Sequence, residues 1–377
     1  MGEKILHTPL CDMLGIRYPI LQAGMGGNTI RGLVANPELA AAVSEAGGLG
    51  VLGGAPISVE EFSHLVRVLK SLTNKPFGVN LVFPGGDAIV GGSPEALSAK
   101  IPHEYKEFGR GILEEMRVKE AENKPQPPHL YLTREVSMKK LEIVLEEKVP
   151  VLVYSLGDPG ADTIDAAHQV GTTVIALAGN VRQAVRLKAE GVDAIVAVGY
   201  EAGGHSGYIG SIALVPQVVD AVKPLPVLAG GGISDGRGLV ASLALGATGV
   251  WVGTRFMTSE ESATVPWMKK LALEAGDTST VKSKFISGKP NRHLRSPWDD
   301  AWEEMAKKPL PIPLQGLLFW DYFTSITQSE AFEVSGETMG QGVGMIDSIK
   351  PAKQIVEDMV TEAIHAYSEM GSRFAKG

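Results

Sequence analysis

The chain has 377 residues, 44% of them apolar and 21% charged, with a formal net charge of −8. That mix excludes a disordered chain and a helical membrane protein, and the acidic balance excludes a phosphate-tracking nucleic-acid face. The single cysteine, Cys11, excludes an intrachain disulfide and a cysteine-built zinc site.

Short apolar runs alternate with helical patterns along the chain. A strand over 18–22 ends in Gln22-Ala23-Gly24-Met25-Gly26-Gly27, and a helix over 37–46 leads to a strand at 49–52. Ser58 and Glu61 form a capping box for a helix over 58–72. The strand at 77–81 carries Asn80 at its end. Residues 84–134 then read as an insertion with glycine-rich turns, an amphipathic helix (Tyr105, Phe108, Ile112, Met116) and a proline-rich exit. Strands at 149–154, 173–177, 194–198, 226–229 and 249–252 follow, separated by helices at 159–170, 181–190, 212–222 and 236–245, with another helix at 137–147 before them. A second insertion, 259–348, delays the closing helix, which shows an apolar stripe of Val356, Met359, Val360, Ala363, Ile364 and Tyr367. Trp298, Trp302 and Trp320 are expected to form that insertion's own small core.

The strands are near-continuously apolar, as strands covered on both faces are. Eight of them with intervening helices predict a single α/β domain over 1–377, a (β/α)₈ TIM barrel with enlarged loops after strands 3 and 8. Loops after strands lie at the C-terminal rim, where barrel active sites are built.

Two constellations point to chemistry. Strands seven and eight end in Gly230-Gly231-Gly232 and Gly253-Thr254. Glycines there let backbone N–H groups approach a phosphate, and the following helix N-terminus is expected to add a favourable dipole. After strand six, Gly199-Tyr200-Glu201-Ala202-Gly203-Gly204-His205-Ser206-Gly207 presents a histidine, whose ordinary pKa near 6.5 suits proton transfer. Small residues at Ala23 and Gly24 admit a flat ligand on which Met25 can pack. Gly48, Gly50 and Gly53 match a dinucleotide-binding spacing but lie within and after a strand, and Tyr208 spoils a nucleophile elbow at Gly204–Gly207. No His, Asp and Glu set has metal-ligand spacing. The short basic pieces at 282–284 and 307–308 read as solvated loops.

Taken in order, Pro19-Ile20-Leu21-Gln22-Ala23-Gly24-Met25, Gly78-Val79-Asn80-Leu81, Glu201-Ala202-Gly203-Gly204-His205, residues 229–235, Gly253-Thr254-Arg255 and Gly340-Gln341-Gly342 resemble the nitronate monooxygenase family, formerly 2-nitropropane dioxygenases. The resemblance implies an FMN-dependent barrel. The isoalloxazine would lie near Ala23, Gly24, Met25 and Asn80, the phosphate at Gly203, Gly232, Gly253 and Thr254, with Gly204, Gly231, Trp251 and Val252 completing the cofactor-binding set. His205 would be the catalytic base. Val198 stands where many relatives carry a glutamine that touches the flavin, which removes that contact.

The implied reaction oxidises a nitronate or nitroalkane with oxygen to a carbonyl compound and nitrite. A flavin-dependent NAD(P)H enoyl-acyl-carrier-protein reductase and a flavin-free phosphate-binding barrel are the rival readings. The expected setting is cytoplasmic, with a small-molecule substrate and oxygen as partners, no nucleic acid and no membrane, and a homo-oligomer left open.

Overall fold

The computed structural model describes residues 6–26, 33–85, 94–305, 307–334 and 336–374. Gly27 and residues 86–93 of the first insertion lie outside that set. Eight parallel strands form one sheet: β1 (Ile20–Gln22), β2 (Gly50–Gly53), β3 (Phe77–Val82), β4 (Val151–Ser155), β5 (Thr173–Ala178), β6 (Ala194–Val198), β7 (Val227–Gly230) and β8 (Gly249–Val252). Neighbours pair in chain order from β2 to β8, and β8 returns to pair with β1. The expected TIM barrel is therefore the observed fold.

The seam between β1 and β2 is closed in two ways. A parallel bridge joins Leu21 to Leu49, with Gln22 N donating to Leu49 O at 2.9 Å and Leu49 N to Ile20 O at 3.0 Å. Beyond it the fully buried Gln22 side chain takes over from the backbone. Its Nε2 donates to Val51 O at 3.2 Å and its Oε1 accepts from Val51 N at 3.0 Å. An amide carries the same donor and acceptor as a peptide unit, so it extends the ladder where the main chain does not.

Side chains alternate across the wall, as the pleat requires. Leu21, Val51, Val153, Val196, Leu228 and Trp251 fill the barrel, whose core is continued by Leu10, Cys11 and Leu14 of the helix Pro9–Leu14. Leu52, Val79, Leu152, Val174, Ile195 and Val227 face outward into the helical layer. Gly50 permits that layer to close in, because a Cβ there would lie 1.8 Å from the Ala40 carbonyl oxygen of the helix Pro37–Glu45. The glycines that mimic a dinucleotide motif thus serve packing.

The helix expected at 137–147 begins earlier, at Arg134, because the Thr133 hydroxyl accepts from Val136 N at 3.2 Å and caps it. Ser58 caps its own helix as expected, accepting from Glu61 N at 3.1 Å. The closing helix runs Ala352–Phe374 and packs on the helices Gly236–Ala244 and Pro37–Glu45.

The tryptophans of the second insertion do not form a core of their own. Trp298, Trp302 and Trp320 pack with Leu97, Ile101, Ile112 and Leu113 of the first insertion, and Phe108 meets Trp302 edge-on at 5.1 Å. Neither segment buries enough apolar surface alone, so the two share one satellite core beside the barrel. A hairpin of β9 (Thr280–Ser283) and β10 (Asn291–Leu294) from the second insertion reaches back to the rim.

Candidate active site

A cavity of about 850 Å³ lies at the C-terminal rim. It brings together Ala23, Gly24, Met25, Asn80, Gly203, Gly204, His205, Gly231, Gly232, Trp251, Gly253 and Thr254, residues spread over most of the sequence. Val252 is the exception. Its side chain packs outward with Phe256, Ile355 and Val356, and only its carbonyl serves the rim, accepting from Ala23 N at 2.8 Å.

Under the first strand tip, Gly24 has to lack a side chain, since a Cβ would lie 2.3 Å from Asn80 Cβ. Asn80 Nδ2 donates to Gly24 O at 2.7 Å, while its Oδ1 is buried with no partner among the described residues. An unpaired buried amide oxygen costs free energy unless a ligand donates to it. Val198 lines the cavity as an apolar residue.

After β7, Gly231 and Gly232 take φ of 105° and 73°, a left-handed pair that L side chains rarely adopt. Consecutive N–H groups in such loops form anion-binding concavities. The dipole expected from the next helix is already used: Asp235 accepts from Gly238 N at 3.1 Å, and Glu362 accepts from Gly236 N at 2.9 Å. Two carboxylates occupy that N-terminus, so any phosphate at this corner is held by the loops. Thr254 Oγ1 accepts from Gly340 N at 3.0 Å, which leaves its own O–H free to donate to a ligand.

The histidine loop is ordered from both sides. Glu201 caps the helix Ser211–Val222, with both carboxylate oxygens 3.0 Å from Ser211 N. From the second insertion, Gly204 and Arg292 exchange backbone hydrogen bonds at 3.0 and 2.9 Å. Lys282 sits 4.6 Å from the Tyr200 ring centroid and 4.7 Å from that of Tyr208, and donates to Ser206 O and Oγ at 3.0 Å and to Gly207 O. Lys282 is therefore a clamp on the loop, not part of a solvated one.

His205 Nε2 lies 2.9 Å from Ser287 Oγ, in the β9–β10 loop. Ser287 Oγ donates to Lys289 O at 3.2 Å and accepts from Lys289 N at 3.3 Å. The one hydroxyl proton can go to that carbonyl or to Nε2; in the tautomer where it goes to the carbonyl, Nε2 donates to Ser287 and Nδ1 is the ring's free base. Burial, with Lys289 adding charge repulsion, pulls the imidazole from 6.5 down to about 4. It is neutral near pH 7, and the same burial makes it a weaker base than a free imidazole until an anion beside it offsets the cost of its charge.

Sequence reasoning missed Lys282, Ser287, Lys289 and Arg292. They lie in the second insertion, where no local pattern separates a rim contact from a surface loop. Gly340 and Gly342, which also line the cavity, were visible as a motif but not as site residues.

Residues 7–362 match the family model described as nitronate monooxygenase. The chain belongs to the nitronate monooxygenase family. A Mycobacterium tuberculosis protein described as a monooxygenase is 34% identical over 97% of this chain and 98% of its own length. A Staphylococcus saprophyticus protein named as a nitronate monooxygenase is 34% identical over 83% of this chain and 85% of that one. Among solved structures, nitroalkane oxidase from Streptomyces ansochromogenes superposes with a TM-score of 0.79 at 28% identity, covering 96% of this chain and 99% of that one. FabK from Thermotoga maritima superposes at 0.73 with 30% identity over 97% and 99%. The family membership makes the chain an oxidoreductase. No helix among the described residues is long and apolar enough to cross a membrane.

Proposed function

We propose that this family member binds FMN and oxidises nitronates and nitroalkanes with oxygen to a carbonyl compound and nitrite, with His205 as the base. The observation that carries this reading is the His205 imidazole in the cavity wall, held through Nε2 by Ser287 Oγ at 2.9 Å. The residues present suit the cofactor. Asn80 Oδ1 lacks a donor among the described residues, the Gly231–Gly232 turn and Thr254 suit a phosphate, and Ala23 and Gly24 leave room for a flat ring. FMN, when bound, supplies the electron acceptor and the route to oxygen.

The chain's own part is positional and acid–base. His205 Nδ1 takes the α-proton of a neutral nitroalkane, and the imidazolium then stays beside the anionic nitronate. The Lys282 and Arg292 contacts hold the histidine loop in register, and general-base help of this kind is worth about 10²–10⁴-fold.

The test is the absorbance spectrum of the purified protein, followed by anaerobic mixing with propionate 3-nitronate. A flavin spectrum that bleaches without nicotinamide is expected. A colourless protein that takes up no flavin overturns the proposal. The glycine loop with its histidine also suits a second reading, a flavin-dependent enoyl-thioester reductase. Consumption of NADH with an enoyl thioester, without oxygen uptake on nitronates, would select it.

A further inference from the structure

We propose that the substrate carries an apolar tail of several carbons, seated in a channel that runs from His205 to the helix Leu314–Gln328. The nature of the reacting head rests on the nitronate reading; the channel does not.

A second cavity, of about 620 Å³, adjoins the first. The two share most of the second one's walls, among them Val82, Leu156, Gln183, His205, Ile286 and Ser287, so His205 stands where they merge. The second continues to Ile312, Pro313, Gly316, Phe319 and Trp320, which none of the proposed chemistry uses. A cavity of this size suits a ligand larger than the reacting head, since drug-sized ligands occupy about 300–1,000 Å³. A nitroalkane of two or three carbons, with its reacting carbon at His205, leaves it almost unfilled.

The polarity is graded. Lys289 lines both cavities, and its charge bears on His205, which puts a cation near the junction. Arg186, also shared, is engaged by Glu190 at 3.2 Å. The far end is aromatic and aliphatic at Ile312, Pro313, Phe319 and Trp320, with Asp158 the one charged residue that lines the second cavity alone among the described residues. An anionic head at the junction and a hydrocarbon tail toward Phe319 and Trp320 match that gradient.

Gly316 bears on the same point. Glycine inside a helix is unfavourable relative to alanine, yet here it lines the channel, and a Cβ added to it meets nothing within 4 Å. Its lack of a side chain keeps the channel wide. Gly316→Ala therefore narrows the tail site without steric clash, and Gly316→Leu narrows it more.

The experiment uses the flavin-loaded enzyme with two homologous series, primary alkyl nitronates and inert straight-chain carboxylates of three to eight carbons. Turnover follows the first and calorimetric binding the second. Burying one methylene corresponds to about a fourfold gain. We expect kcat/KM and carboxylate affinity to rise two- to fourfold per carbon in the native enzyme. Gly316→Leu should erase that rise beyond the shortest members, and Gly316→Ala should blunt it. A flat carboxylate series, no carboxylate binding, or a Gly316→Leu effect equal at all lengths overturns the channel. A rising carboxylate series with no nitronate turnover leaves the channel standing and overturns only the nitronate chemistry.

Discussion

The hydrogen bond between His205 and Ser287 makes a prediction that can be worked through in numbers. Ser287→Ala removes the hydroxyl that pairs with the imidazole Nε2 and leaves that part-buried nitrogen without its partner. Such a group costs about 1–3 kcal/mol, and the ring also loses what selects its tautomer. If the whole cost falls on the reacting geometry, kcat/KM drops about 5- to 150-fold at 1.36 kcal/mol per decade. The assay is kcat/KM against pH for a neutral nitroalkane and for its preformed nitronate. The native enzyme should be fully active above pH 6.5 on the nitroalkane and lose activity as pH falls through about 4, where the imidazole protonates. The same depressed value means that the stability due to neutral His205 is complete above its unfolded value of 6.5 and is lost as pH falls toward about 4, so acid points need brief exposure. His205→Ala should cost about 10²–10⁴-fold on the nitroalkane and far less on the nitronate, which needs no deprotonation. An acidic limb near 6.5, native-like kinetics in Ser287→Ala, or equal losses of His205→Ala on both substrates would refute the reasoning.

Gln22→Leu strips Val51 of both its partners across the β1–β2 seam, and two buried orphans at about 1–3 kcal/mol each should lower the melting temperature by several degrees in calorimetry. Gly50→Ala drives a Cβ to within 1.8 Å of Ala40 O, and the overpacking, typically about 1–3 kcal/mol or more, should appear as a lower melting point with cofactor contacts untouched. Lys282→Met withdraws a charged donor from the Ser206 and Gly207 carbonyls; turnover should fall about tenfold or more, and Lys282→Arg should recover part of it. Gly231→Ala forces a side chain into φ of 105° and to 2.9 Å from Ala202 N, so fluorescence should report FMN released on dilution where the native protein retains it. Each of these fails if the variant matches the native protein in the stated measurement.

The sequence by itself determined the barrel. Eight apolar runs alternating with helical patterns leave few ways to bury every face, and the strands lie within two or three residues of where periodicity puts them. It also marked the rim glycines and His205, because left-handed turns and a polar group at a strand end leave a local trace. Tertiary structure alone decided what surrounds them. Whether Lys282 is solvated or a clamp, whether Ser287 touches His205, and whether the tryptophans of one insertion pack with the other depend on contacts between segments tens to hundreds of residues apart. Val252 shows the same division within one strand. Its place beside the glycines is written in the sequence, but the pleat turns its side chain into the helical layer while Trp251 faces the cavity. The helix after β7 has a sequence that invites a phosphate, and a carboxylate from the distant closing helix, Glu362, satisfies it instead. Local pattern records what a residue can do; long-range packing assigns its partner, because burial and hydrogen-bond satisfaction are settled only when the whole chain is folded.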